Sequence, residues 1–120
     1  MQLFTIPGRL DGLNEYIDFC RKNKYAGAKA KKNNQGKVVA AIIDSCRIKK
    51  ITSFPITLKI KWVEKNKKRD IDNVTFGTKF IQDAMVEMGV IPDDSQKFIN
   101  GIVHEVTVDK DNPRIEVEVI

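Results

Sequence analysis

The chain has 120 residues, 42% hydrophobic and 31% charged, which implies one globular domain small enough for pairing with a second copy to add stability. No apolar run approaches the roughly 18–20 residues that cross a bilayer and no signal-peptide pattern opens the chain, so a soluble, cytoplasmic protein without membrane contact is expected. The net charge of +5 is divided unevenly, with 17 Lys and Arg against 5 Asp and Glu in residues 1–69, and 4 against 11 in residues 70–120. A basic half beside an acidic half suits a protein that attracts a phosphate backbone with one part and holds a divalent cation with the other. Cys20 and Cys46 fall on separate expected helices without metal-ligand spacing, so buried thiols are expected rather than a disulfide or a zinc site.

Gln2–Ile6 is short, partly alternating and ended by Pro7-Gly8, which predicts a first strand and a turn. Arg9 sits on that turn, either touching a phosphate or simply exposed. Leu13, Tyr16, Ile17 and Cys20 recur at helical spacing, and Asp11 is placed to cap a helix that runs to about Lys24 and buries one face. Tyr25 to Gly36 is rich in Lys, Asn, Ala and Gly, with Lys29, Lys31, Lys32 and Lys37 close together. Such a run reads either as a solvated helix end or loop, or as a segment that contacts DNA backbone and orders on binding. The second reading is preferred beside an acidic site. Val38, Val39, Ile42, Ile43 and Cys46 predict an amphipathic helix, closed by Lys49 and Lys50 at its negative dipole end.

Ile56, Leu58, Ile60 and Trp62 alternate with Thr57, Lys59, Lys61 and Val63, which predicts a half-buried strand with Trp62 in the core. Lys65, Lys67, Lys68 and Arg69 follow and lead into Asp70-Ile71-Asp72-Asn73. In a loop the cations are merely soluble; beside carboxylates they are placed to hold a strand over a metal. Asp70 and Asp72 have two readings, as helix caps or as ligands of a hard cation such as Mg2+.

From Asn73 to Met88 the apolar residues predict one helix. Val74, Thr78, Ile81, Ala84, Met85 and Met88 lie within about 80° of one line, while Asp72, Lys79 and Asp83 cluster about 160° away. Lys79 either contacts a phosphate oxygen or forms an i, i+4 pair with Asp83. Phe76 and Phe80 flank the polar row, and burial against a second subunit is the expected reason, ahead of base stacking. Gly89 and Pro92 end the helix and deliver a second acidic pair, Asp93-Asp94, whose return toward Asp70 the turn allows. Ile102–Val108 and Arg114–Ile120 read as strands, with Asp109-Lys110-Asp111-Asn112-Pro113 suited to a hairpin between them. His104 is the sole histidine, is expected to be a strand residue, and excludes any scheme that needs two.

The ordered set Arg69-Asp70-Ile71-Asp72-Asn73, Lys79, Asp83-Ala84, Gly89 and Asp93-Asp94-Ser95-Gln96 resembles the signature of the RusA family of Holliday junction resolvases. Ile6-Pro7-Gly8-Arg9-Leu10 with Leu13-Asn14 is similar to members from phages and prophages of Gram-positive bacteria. The resemblance implies a homodimeric endodeoxyribonuclease that uses Mg2+, with Mn2+ as a substitute, and cuts four-way DNA junctions by paired incisions. Carried over by position, it implies Asp70, Asp72 and Asp94 as metal ligands and Lys79 as the catalytic lysine. Asp93 lies beside that set as a further candidate ligand. From their placement and charge, Arg9, Lys29, Lys31, Lys32, Lys67, Lys68 and Arg69 are the candidate DNA contacts.

The fold expected is α+β in a single domain, a small, mostly antiparallel sheet packed by three helices, with no organic cofactor. Two other functions compete: a non-catalytic module that binds branched DNA, and a metal nuclease for RNA or flapped DNA.

Overall fold

In the computed structural model, which describes residues 1–45 and 50–120, the chain runs β1 (Gln2–Pro7), α1 (Leu13–Lys22), α2 (Lys24–Asp44), β2 (Ile56–Glu64), α3 (Ile71–Thr75), α4 (Thr78–Glu87), β3 (Ile99–Val108) and β4 (Arg114–Val119). β2 has the cleanest alternation and becomes a central strand, with Ile56, Leu58, Ile60 and Trp62 all buried. The sheet order is β1-β4-β2-β3, antiparallel at β1/β4 and β4/β2 and parallel at β2/β3. Val38, Ala41 and Ile42 of α2 and Phe80, Ile81, Ala84 and Met85 of α4 join the inward strand residues in one core. The α+β class and the mostly antiparallel sheet are as the sequence pattern indicated.

Several local expectations are corrected. β3 and β4 do not form a hairpin, because β2 lies between them. The connection passes the end of β2, where the Asp109 amide donates to the Glu64 carbonyl at 2.9 Å. A turn-rich linker serves equally for a hairpin or for spanning one strand, and the burial demand of β2 decides. β3, which leaves Val103, His104 and Glu105 exposed, takes the sheet edge.

The lysine-rich stretch is not a loop. Asn23 accepts from the Ala26 amide at 2.8 Å and starts α2, and the Ala and Lys residues that follow are strong helix formers. Gly27 is tolerated there because a Cβ would lie 2.9 Å from the Cys20 sulfur. Cys20 belongs to an exposed residue rather than a buried one, while Cys46 and Lys49 lie outside the described residues. Lys50 is exposed and stands beyond the helix, which ends at Asp44.

Asp11 does not cap α1. Gly12 occupies the N-cap position, and Asp11 instead exchanges two hydrogen bonds, both 2.8 Å, with the buried Asn34 of α2. The helix expected from Asn73 to Met88 is broken into α3 and α4 at Phe76-Gly77. A Cβ on Gly77 would meet Leu10 and the Trp62 ring at 3.2 Å, so the chain bends where it crosses the core. The bend also settles Phe76 and Phe80. Tyr16 of α1 packs on both, at ring centroid distances of 5.2 and 5.8 Å, and Phe80 is 2% exposed within one chain. Phe80 is thus covered within its own chain, and the half-buried Phe76 packs against the same core. α4 ends as expected, with Gly89 at φ +71° and the Val90 amide returning to the Met85 carbonyl.

Trp62 is 1% exposed, and its indole N–H donates to His104 Nδ1 at 3.0 Å. Indole only donates, so this bond requires the unprotonated Nδ1. Burial also lowers the His104 pKa below its usual 6.5. The unfolded chain therefore binds the proton more readily than the folded one, and the contribution is complete above pH 6.5 and lost as pH falls through the lower folded value. Folding stability measured by urea titration is expected to decline as pH falls below 6.5, and His104→Phe should flatten that decline, since the chain has no second histidine to titrate there.

Candidate functional site

β2 ends in Glu64, which continues the inward register of Ile56, Leu58, Ile60 and Trp62 and so carries a carboxylate to the core's edge. Arg69 answers it with two 2.8 Å bonds, Nε to Oε1 and Nη2 to Oε2. The same guanidinium donates to the Leu10 carbonyl at 3.1 Å, and only 13% of its side chain is exposed. Arg69 is therefore a structural latch, since a buried carboxylate needs a cationic partner.

The latch ends at Asp70, the N-cap residue of α3, whose side chain makes no capping bond. Asp72 lies in the first turn of the same helix, and both carboxylates are exposed. Among the described residues neither forms a side-chain hydrogen bond or an ion pair. The capping reading thus fails for Asp70, and two unpartnered oxygen donors stand one residue apart. Beside them is a cavity of about 740 Å3 whose lining includes Glu64, Lys67, Arg69, Asp70, Ile71 and Val108.

Asp94 is elsewhere engaged. Lys79 of α4 donates to Asp94 Oδ2 at 3.1 Å and stands 3.0 Å from Asp83 Oδ1, while Lys31 of α2 lies 3.7 Å from Asp83 Oδ2. The hydrogen bond to Asp83, then that to Asp94, raises the Lys79 pKa, so the ammonium stays charged at neutral pH. Both readings of Lys79 hold in part: it forms the i, i+4 pair and also reaches the second acidic pair. Lys31, Lys79, Asp83, Asp93 and Asp94 line a separate cavity of about 480 Å3, which has no residue in common with the first.

Asp94 thus lines a different cavity from Asp70. Among the described residues no three His, Cys, Asp or Glu side chains gather within one chain in a way that could hold a metal ion. Asp70 and Asp72 suit Mg2+ as hard oxygen donors, which the ion commonly takes in ones or twos together with water and substrate phosphate. Asp93 is exposed beside Asp94.

Of the candidate DNA contacts, Lys67 and Lys68 are exposed next to the carboxylates, and Lys29, Lys31 and Lys32 project from α2. Arg9 is 3.0 Å from Glu15, with 43% of its side chain exposed. Lys37, also exposed, reaches back to the Arg9 carbonyl. Two residues that matter, Glu64 and Asn34, went unread in the sequence, and Asn73 was read only as part of the run from Arg69 and as the start of a helix. For Glu64 a signal existed, since an acid at the next inward position of an apolar strand demands a cationic partner nearby.

The described helices include none long and apolar enough to cross a membrane. No curated protein matches the chain. A family model described as Endodeoxyribonuclease RusA matches residues 14–120, nearly the whole chain.

Proposed function

The chain belongs to the RusA endodeoxyribonuclease family, and from that premise we propose that it is a Mg2+-dependent, homodimeric resolvase that cuts four-way DNA junctions by paired incisions. The observation that carries the reading is the pair of exposed, unpartnered carboxylates, Asp70 and Asp72, directly after Lys67 and Lys68. In this reading Asp70 and Asp72 hold the ion and Lys67 and Lys68 hold the phosphates on either side of the cut. When bound, Mg2+ supplies a water of lowered pKa and neutralises charge on the phosphate. Lys79, kept protonated by its carboxylate partners, steadies the charge that builds on the leaving oxygen. Mn2+ substitutes as a second hard cation.

Because no three carboxylates gather at a possible metal site among the described residues of one chain, the reading assigns Asp94 to the site of a second copy. Two such copies related by a twofold axis present two equivalent sites, as a four-way junction presents two equivalent strands. α2 is about 30 Å long, and in this reading Lys29, Lys31 and Lys32 on one turn of it meet the backbone of a duplex arm.

Synthetic four-way, three-way and linear DNA, each cut over a Mg2+ titration, test the reading. Cutting of the four-way substrate in preference to the others is expected. Faster cutting of linear, flapped or RNA substrates overturns the junction assignment, and tight binding without cutting at any Mg2+ concentration identifies a non-catalytic module. Lys67→Ala and Lys68→Ala are each expected to weaken binding to every sequence alike and to reduce the slope of log K against log salt by about 0.9.

A further inference from the structure

We infer that Asn73 is a positioning residue: by capping α1 from a distant segment, it fixes the short helix that carries Asp70 and Asp72. α1 begins at Gly12, which has no side chain to accept a first-turn amide, the usual role of an N-cap residue. The Asn73 amide oxygen takes that role instead, accepting from the Asn14 backbone N–H at 3.0 Å. Gly12 and Asn73 form one device, because a Cβ at Gly12 would lie 2.4 Å from Asn73 Oδ1. The amide oxygen occupies the space where a capping side chain would stand.

α3 needs this hold. It has five residues, of which Val74 alone is buried, and a helix that short has no stability of its own in water. It is gripped twice, by Arg69 on the Leu10 carbonyl before it and by Asn73 on Asn14 at its middle. Both grips close on the segment between β1 and the first turn of α1. Asp70 and Asp72 stand between them with no side-chain bonds of their own, so the backbone they share sets where their oxygens point. Displacement of a reacting group by about 1 Å costs on the order of 100-fold in rate.

The inference rests on the reading of Asp70 and Asp72 as the reacting carboxylates, and its test separates the two. Asn73→Ala in the full chain is expected to lower kcat for the four-way junction by roughly 10- to 100-fold with KM little changed, and to lower Tm by roughly 4 °C. Asn23→Ala, which removes the matching cap from α2, is expected to lower Tm by a similar amount and leave kcat alone. Asn73→Asp keeps the acceptor and is expected to keep kcat within about threefold. Hydrogen exchange gives a readout independent of cutting. The Val74 amide, bonded to the Asp70 carbonyl at 3.0 Å, should exchange at least about tenfold faster in Asn73→Ala, and at the wild-type rate in Asn73→Asp. Unchanged kcat or unchanged Val74 exchange in Asn73→Ala overturns the inference, as does a kcat loss of the same size in Asn23→Ala. Loss of either property in Asn73→Asp overturns it too. A wild-type protein that binds junctions without cutting them sinks the proposed function and leaves the exchange result to decide the latch.

Discussion

Asp70→Asn and Asp94→Asn chains, each inactive when assayed separately, are expected to recover cutting when mixed and allowed to exchange subunits. Each substitution alone removes a ligand from both sites of the dimer. Charge stabilisation worth several kcal/mol is lost, which corresponds to at least about 10³-fold in rate. In a mixed dimer built as proposed, one site has lost both carboxylates and the other has lost none. That dimer therefore nicks one strand of the junction and never makes the paired incision. Were each chain to supply all of its own ligands, both sites of the mixed dimer would carry one substitution and no nick would form. Gel analysis of a junction labelled on one strand at a time distinguishes these outcomes, and binding, which depends on the lysines, should survive in every case.

Arg69→Ala has the largest expected effect on stability. It strands the Glu64 carboxylate, 8% exposed, beside the core and also removes the tie to the Leu10 carbonyl. Removing one partner of a buried pair costs about 3–5 kcal/mol, which lowers Tm by roughly 10 °C or more in a domain of this size. Arg69→Lys should recover little of this, because an ammonium cannot make the two-pronged contact with Glu64 and reach Leu10 as well. The DNA-contact role read from the sequence predicts the opposite: a change in salt-dependent binding at unaltered Tm. Thermal melting of the free protein decides between them.

What was legible along the chain is what depends on neighbours in sequence. The alternation at Ile56–Trp62, the stop at Gly89 and the run from Arg69 to Asn73 each follow from residues a few positions apart, and each appears in the structure where it was expected. Where two interpretations had equal local support, sequence had no means of choosing. Lysine, alanine and asparagine in Tyr25–Gly36 suit a helix or a solvated loop, and the Asn23 cap with the buried Asn34–Asp11 exchange makes it a helix. Phe76 and Phe80 required a cover, and whether a partner subunit or Tyr16 supplies it depends on how α1 lies across α3 and α4.

The amino-acid sequence by itself determined the α+β class, the position of two carboxylates after a basic run, and the family. These are matters of period, spacing and residue order, which the chain carries without folding. The tertiary structure alone decided that Arg69 latches Glu64, that Lys79 spans Asp83 and Asp94, that β2 separates β3 from β4, and that Asp94 lines a different cavity from Asp70. The physical reason is common to all four. A buried charge or an unpaired strand edge takes whichever partner the packed core brings within about 3 Å, and that choice is made only once distant segments meet.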